Sequence, residues 1–407
     1  MKKHLLIAGI AVLSTSAYAT TARLQALGQD TTRGSFFIDD NYNVFRNAAY
    51  VNMYKNYTVT EWGTENSNQA TANTTQQLEG GFFREMGNFA YGVYFNNESD
   101  TAEQISQAQA IEGITLVDHE FKTATNGIDL FFGGDMGVQW GARIHYASSS
   151  EKVTEAEAND VGNAYEAEHS AMNISLGMMM GDLGAYANVG IKNEYTGALD
   201  GAGVGVGDAN ADEDKLEGSG SLNLGVNYKM GATRFFVDYA SGGMEYTDGT
   251  DTSFKKEYEK TEITVGAGHT HEVSSTARVY SSLSYVKTDI EGKTAANTTL
   301  EKGTTSLPLL IGFEADANSW LTLRGHITQN LPFLSKEEFT NSNAANQADE
   351  DKGDASTAFA AGATLNFGKL TLDGVISSTR NIGGQAAQND DLRTDLLMSK
   401  VAVIYNF

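Results

Sequence analysis

The sequence predicts an all-β chain: a transmembrane, antiparallel up-and-down β-barrel of about 16 strands, with short periplasmic turns and long external loops. Three observations carry that prediction. From Tyr54 onward, apolar side chains alternate with polar or glycine positions at a period of two, in stretch after stretch. The connections between those stretches switch between tight turns and long polar segments. Residues 401–407 (VAVIYNF) make a last alternating stretch that ends on an aromatic.

Residues 1–19 carry the three parts of a secretory signal. Lys2 and Lys3 form a basic start, residues 5–13 (LLIAGIAVL) a short apolar core, and Ala17-Tyr18-Ala19 a small-x-small cleavage site. The apolar run is too short to span a bilayer, and no other stretch reaches the roughly 20 apolar residues of a membrane helix. Composition favours an exported barrel over a soluble exported protein. The chain has 43 Gly, 18 Tyr and 19 Phe but only 2 Pro. Glycine and aromatics suit curved strands and interfacial girdles, and scarce proline suits a sheet without free edges. With no cysteine, the chain has no disulfide, thiolate metal site or cysteine nucleophile. The mean hydropathy of −0.33 fits strands that are apolar on one face only. The formal charge of −24 becomes −26 once Lys2 and Lys3 leave with the signal. Such an acidic excess excludes nucleic acid as an expected partner and favours cations in any lumen.

Residues 20–53 precede the first alternating stretch and do not alternate themselves. They are expected to form a short helix at the periplasmic mouth, with a plug in the lumen as the alternative. The barrel proper is expected over residues 54–407. Within it, Phe89/Tyr91/Val93/Phe95 and Ile128/Leu130/Phe132 alternate, and Val138/Trp140/Ala142/Ile144/Tyr146 follow the turn at residues 134–137. Met172/Ile174/Leu176/Met178 and Ala185/Ala187/Val189/Ile191 flank residues 181–184. Leu222/Leu224/Val226/Tyr228/Met230 give the clearest case, with Asn223, Gly225, Asn227 and Lys229 between them. The same code continues through Phe235/Val237/Tyr239, Ile263/Val265/Ala267, Val279/Leu283/Tyr285, Leu309/Ile311/Phe313, Leu321/Leu323/Ile327, Phe359–Phe367 and Leu370/Leu372/Ile376.

Short turns are expected near 85–88, 134–137, 181–184, 230–233, 272–276, 315–319 and 367–369. Long loops are expected over 62–75, 97–125, 148–165, 195–216, 246–256, 289–303, 331–354 and 379–393. Seven hairpins, a strand at about 54–62 and the C-terminal strand make about 16 strands, with 14 as the alternative. Pro308 is expected at a strand start.

The faces opposite the apolar ones present Arg143, His145, Lys192, Lys229, Arg234, Asp238, Arg278, Glu314, Arg324, His326 and Asp373. Facing lipid at mid-depth, each Arg or Lys would cost roughly 2–4 kcal/mol, so these residues are expected to line the pore. They form either a transverse field across it or ion pairs that stiffen the wall. The loop at 97–125, with Ile105, Ala108 and Ile111 at near-helical spacing, either folds inward or caps the barrel outside.

Asp208, Asn210, Asp212 and Asp214 have the two-residue spacing of a calcium loop, but the central glycine is missing and Glu217 comes too early. That run, and Asp349-Glu350-Asp351 with Asp354, are expected as solvated loops, so no metal site is expected. His269 and His271 share a strand face without a third ligand. The glycine run at 201–207 has no following helix to bind phosphate. No cofactor and no enzymatic activity are expected.

Two resemblances add to this reading. The ending on Phe407 resembles the terminal-Phe signature of bacterial outer-membrane β-barrels. It implies the outer membrane as location and the barrel-assembly machinery as a partner. Phe37, Asp39, Asp40, Asn47, Ala48 and Ala49 resemble the N-terminal region of FadL-type outer-membrane transporters, with Ala48 where that family has a proline. That second likeness covers about a tenth of the chain and implies transport of hydrophobic compounds. The favoured expectation is a porin passing small hydrophilic solutes and ions, cations preferentially. The alternatives are a FadL-like transporter and a structural or recognition barrel acting through its loops. Outer-membrane lipid and lipopolysaccharide are the expected surroundings, and a homotrimer suits a 16-stranded porin.

Overall fold

A computed structural model describes residues 20–63, 77–97, 126–153, 165–197, 214–247, 255–295, 298–341, 347–351, 355–378 and 400–407. The signal at 1–19, residues 98–125, the glycine run and the calcium-like residues Asp208, Asn210 and Asp212 lie outside them. A six-residue helix, α1 (Thr21–Ala26), comes first, followed by two 3₁₀ turns, Asn41–Phe45 and Ala48–Asn52.

The strands follow. They are β1 (Tyr57–Gly63), β2 (Gln77–Met86), β3 (Phe89–Phe95), β4 (Ile128–Asp135), β5 (Gln139–Val153) and β6 (Tyr165–Met180). Next come β7 (Leu183–Gly197), β8 (Asp214–Met230), β9 (Thr233–Thr247), β10 (Lys255–Ser274), β11 (Ala277–Ala295) and β12 (Thr298–Asn318). The last are β13 (Leu321–Asn341), β14 (Gln347–Asp351), β15 (Ser356–Phe367), β16 (Leu370–Ser378) and β17 (Lys400–Asn406). Apart from β14 and β15, each strand pairs antiparallel with the next, and β17 pairs with β1, Tyr57 opposite Asn406 and Trp62 opposite Val401. Both β14 and β15 pair with β13, at different heights, so they share one position and the closed wall has 16.

The wall is apolar outside and polar within. On β8, Leu224 and Val226 are 42% and 50% exposed, whereas Asn223 between neighbouring strands is 8% exposed. The same split runs around the wall: Ile144, Leu176, Val237, Val265, Ile311 and Phe313 face out, while Asp129, Asn173, Asp238 and Asp373 are buried. Aromatics flank this band, with Phe89, Trp320, Phe367 and Phe407 near the short turns and Trp62, Phe95, Tyr146 and Tyr285 toward the loops. An apolar belt between aromatic girdles is the lipid-facing surface of a membrane barrel.

The seven short turns fall where the sequence places them, and the two short pairs nearest the N-terminus, β1–β2 and β2–β3, form as well. Two expectations are corrected. Strand pairing replaces the loop at 289–303, where β11 and β12 run on to Ala295 and from Thr298, and enters 331–354, where β13 and β14 pair. The sequence there carries no continuous apolar face, so the pattern that marks the other strands does not announce it. Pro308 lies in the middle of β12, not at its start. It has no N–H to donate, and the β11–β12 ladder skips it, passing from Leu283–Leu309 to Val286–Ser306.

Candidate functional site

Residues 20–53 lie inside the barrel rather than against its mouth. Their anchors on the wall fall within about six residues of the short turns, roughly 20 Å of strand. Every one of the 16 wall positions is touched by this segment or packs in a cluster with it.

Thr20 caps α1, its hydroxyl accepting from the Arg23 N–H at 3.1 Å and donating to Asp373 Oδ2 at 3.2 Å. Thr21 donates its N–H and its hydroxyl to Glu61 Oε2 at 2.8 and 2.6 Å. These bonds fix the start of the helix to β16 and β1. Arg23, 1% exposed, reaches across to β12. Its Nε and Nη2 donate to the two oxygens of Glu314 at 2.8 and 3.1 Å, and its Nη1 to Asp40 Oδ2 at 2.7 Å. Glu314 in turn lies 3.2 Å from Arg324, which donates to Asp373 Oδ1 at 3.1 Å. The result is a row of alternating charges, Asp40–Arg23–Glu314–Arg324–Asp373, joining the segment to β12, β13 and β16. Burial works against the charge on Arg23, but Glu314 and Asp40 outweigh it and hold its pKa above the ordinary value. Burial pushes the Asp40 carboxyl up to about 6, against the pull of Arg23.

A second anchor lies on the far side. Arg46 donates to the Gly34 carbonyl at 2.8 Å and Asp30 Oδ2 at 3.0 Å, stacks over Phe36 at 3.7 Å, and reaches Tyr186 OH on β7 at 3.4 Å. Tyr186 donates to Asp238 of β9 at 2.5 Å, and Asn223 of β8 donates to the same carboxylate at 2.9 Å. Burial would raise the Asp30 carboxyl, but Arg33 and Arg46 outweigh it and hold it below the usual carboxylate range. Asp39 meets Arg234 at 2.8 Å.

Between the anchors the packing is close and apolar. Phe45 stands edge-on to Tyr94 and Phe131, with the Arg143 guanidinium 5.0 Å over its ring. Gly141 and Gly177 are register partners on β5 and β6. A Cβ on Gly141 would collide with the Ala48 carbonyl, and one on Gly177 with Asn47 Oδ1. The wall is bare at this spot because the segment's backbone occupies it.

Ten of the eleven residues expected in the lumen point inward, and most are engaged rather than open to water. Arg143 and His145 both meet Asp129 Oδ1, at 2.7 and 2.8 Å. Arg234, Asp238, Glu314, Arg324 and Asp373 belong to the anchors, and His326 Nδ1 lies 3.1 Å from the Ala26 carbonyl. Lys229, about half exposed, sits 4.0 Å from Asp39, and Arg278 lies 3.9 Å from Glu272.

Lys192 is the exception and is corrected here. Met172 pairs with Lys192 but Asn173 with Gly190, so Ile191 is an extra residue and the alternation slips by one. Asn193 and Tyr195 become the buried residues, and Lys192 turns outward to Glu194 at 3.0 Å. There it lines a polar surface groove with Ser148, Glu168 and Thr196.

His269 and His271 face out at the short-turn rim, His269 bonded to the Thr233 hydroxyl at 2.9 Å. Asp214 opens β8, and Asp349, Glu350 and Asp351 are strand residues of β14, not loop. No group of three metal-ligating residues occurs among the described residues.

No protein-family model matches the sequence, and the comparison with curated proteins finds no match. Among solved structures, the chain is similar to the siderophore receptor PirA from Acinetobacter baumannii, at 10% identity and a TM-score of 0.38, over 83% of this chain and 64% of that one. It is also similar to OmpT, an outer membrane protein of Vibrio cholerae, at 12% identity and a TM-score of 0.36, over 75% and 95% of the two chains. The FrpB iron transporter from Neisseria meningitidis follows at 12% and 0.37, over 83% and 64%. The chain thus spans about two-thirds of the length of PirA and FrpB. These likenesses are loose, and the membrane assignment stands on the barrel's own two faces. The protein is an outer-membrane β-barrel.

Proposed function

We propose that this barrel is a channel for small hydrophilic solutes and ions, cation-preferring, whose N-terminal segment narrows the lumen. The observation that carries the proposal is the lining on the loop side of the segment. There Asn173, Ser175, Asn188 and Asn223 offer amides and hydroxyls from buried inward positions. A transporter of hydrophobic compounds needs an apolar pocket at this level. The apolar clusters described in the lumen are instead filled by the segment's own Phe37, Phe45 and Val51. The acidic excess of the chain supports the cation preference. The reading involves no catalysis and no cofactor. Phe407 would present the strand end to the assembly machinery, and the groove beside Lys192 would meet lipopolysaccharide headgroups at the loop-side rim.

Planar-bilayer recording tests the proposal. The expected result is ohmic, cation-biased steps that grow when the Arg23 anchor is removed by Arg23→Gln. Silence in both proteins, with fatty acid or detergent held in the lumen, would favour the transporter of hydrophobic compounds. Silence with an empty lumen would favour a structural or recognition barrel.

A further inference from the structure

The lumenal lining on the loop side of the segment contains a cleft beside the Arg46 anchor, with which it shares Asn188 and Asn223. Its cavity volume is about 100 Å³, and its wall runs from β6 to β10 with Arg33 of the N-terminal segment at its floor. Several features mark it as built for a ligand. Asn188 is nine-tenths buried, and its Oδ1 has no hydrogen-bond partner. The orientation of that amide is fixed, because Nδ2 donates to the Arg46 carbonyl at 3.2 Å and to Asn223 Oδ1 at 3.0 Å. A buried amide oxygen left unpaired costs free energy that an O–H or N–H from a bound molecule would recover.

The wall is irregular at this point. The extra residue Ile191 follows Gly190, and β8 carries a second irregularity between Gly218 and Ser221. Gly190 and Ser221 are the last pair below the gap in the β7–β8 ladder, which resumes at Glu194–Glu217. Bulges of this kind gather beside functional sites, where they re-aim side chains.

The lining also defines the ligand's charge. Lys260 lies 3.6 Å from Glu262 on the cleft wall, and Arg33 lies 3.5 Å from Asp30. With each cation beside an acid, the cleft carries no one-signed field for an anion or a cation. What remains are groups that both donate and accept, from Asn173, Ser175 and Ser221, together with the ring of Tyr258. At about 30 Å³ per water, the cavity holds roughly three waters, so it seats one edge of a polyol or sugar ring, the rest standing in the lumen.

We infer that this cleft binds a neutral polyhydroxylated solute of about monosaccharide size, held by one edge, whose hydroxyls meet the amides and hydroxyls of Asn173, Ser175 and Ser221. The inference rests on the channel reading for how the solute reaches the lumen, but binding itself is measured without transport. The purified full chain in detergent is titrated with glucose by saturation-transfer NMR, and bilayer conductance is recorded on the same preparation. Glucose is expected to bind saturably, and acetate and choline to compete at least roughly tenfold less well. Ala240→Phe, which fills the cleft from β9, is expected to weaken binding by at least about tenfold. Ser175→Ala with Ser221→Ala, which keeps the cleft's shape, is expected to weaken it several-fold and carries the test if the larger substitution disturbs folding. No saturable glucose signal, or one unchanged in the variants, overturns the inference. Competition by choline as strong as by glucose overturns the neutral-solute assignment. A silent protein that binds glucose keeps the site and overturns the channel, and a conducting protein that ignores glucose does the reverse.

Discussion

The two halves of the lumen are built on opposite principles. Near the short turns, the wall and the N-terminal segment interlock through opposite charges, and the charged groups are buried with partners on both sides. Arg23 has three such bonds and Arg46 bridges Asp30, Gly34 and Tyr186. Toward the loops, amides and hydroxyls join the Lys260–Glu262 pair around a cleft, and one amide oxygen there, on Asn188, has no partner. A buried charge that loses its partner is costly, so the first half holds one arrangement or releases it. An amide lining can exchange partners with water and solute. Position along the barrel axis thus separates what narrows the lumen from what meets a solute.

Removing Arg23 should break this contrast most severely. Arg23→Ala leaves Asp40 without its cation and Glu314 with Arg324 alone, and should cost the docking of the segment about 3–5 kcal/mol. Protease cleavage within residues 20–53 of the refolded barrel should accelerate, and conductance should rise, while the strand signal in far-UV circular dichroism is unchanged. Filling the bare patch is the next test. Gly177→Ala forces Asn47 off the wall and should cost about 1–3 kcal/mol by overpacking, read as the same two changes at smaller amplitude.

Acidity should sharpen the contrast from the other direction. Asp40 has a pKa of about 6 in the folded protein against an ordinary 3.8. A raised carboxyl binds more protons folded than unfolded between those values, so docking strengthens as pH falls through 6 and weakens as pH rises through it. Arg23 and Glu314 face Asp40 and set the balance, and Asp30, whose carboxyl is lowered, loses its contribution only below the ordinary value. Conductance should therefore fall modestly from pH 7 to pH 5, and Asp40→Asn should flatten that profile. The smallest effect belongs outside the lumen: Lys192→Ala should change docking by less than about 0.5 kcal/mol and leave conductance unchanged.

The wall was legible in the sequence because its code is local. Leu222 to Met230 need only their neighbours to show which face meets lipid, and the tight turns mark the hairpins. Lys192 was misplaced because one extra residue reverses the alternation, and nothing in the residues around Ile191 announces a bulge. The lumenal segment was illegible for a different reason. Arg23 finds Glu314 across 291 positions, and Arg23, Asp40 and Arg46 look like solvated charges until their partners are known. A signal did exist in Gly141 and Gly177, two inward positions without side chains on adjacent strands. A lumen that must be filled or wetted leaves such a patch bare only for something else to cover. Asp129 was missed because its inward neighbour Phe131 hides the polar face of β4.

The seating of the segment is the claim on which both halves depend, and one cross-linking measurement tests it. Ala26 of α1 lies against Gly362, an inward position of β15, where a Cβ would stand 2.6 Å from that of Ala26. The chain has no cysteine of its own. In Ala26→Cys/Gly362→Cys, a shift of about 1 Å brings the pair to disulfide distance. The folded protein should cross-link in high yield, while Ala26→Cys/Ala361→Cys, with its second thiol on the lipid face, should not. Equal yields from the two pairs, or none from the first, would contradict a segment seated inside the barrel.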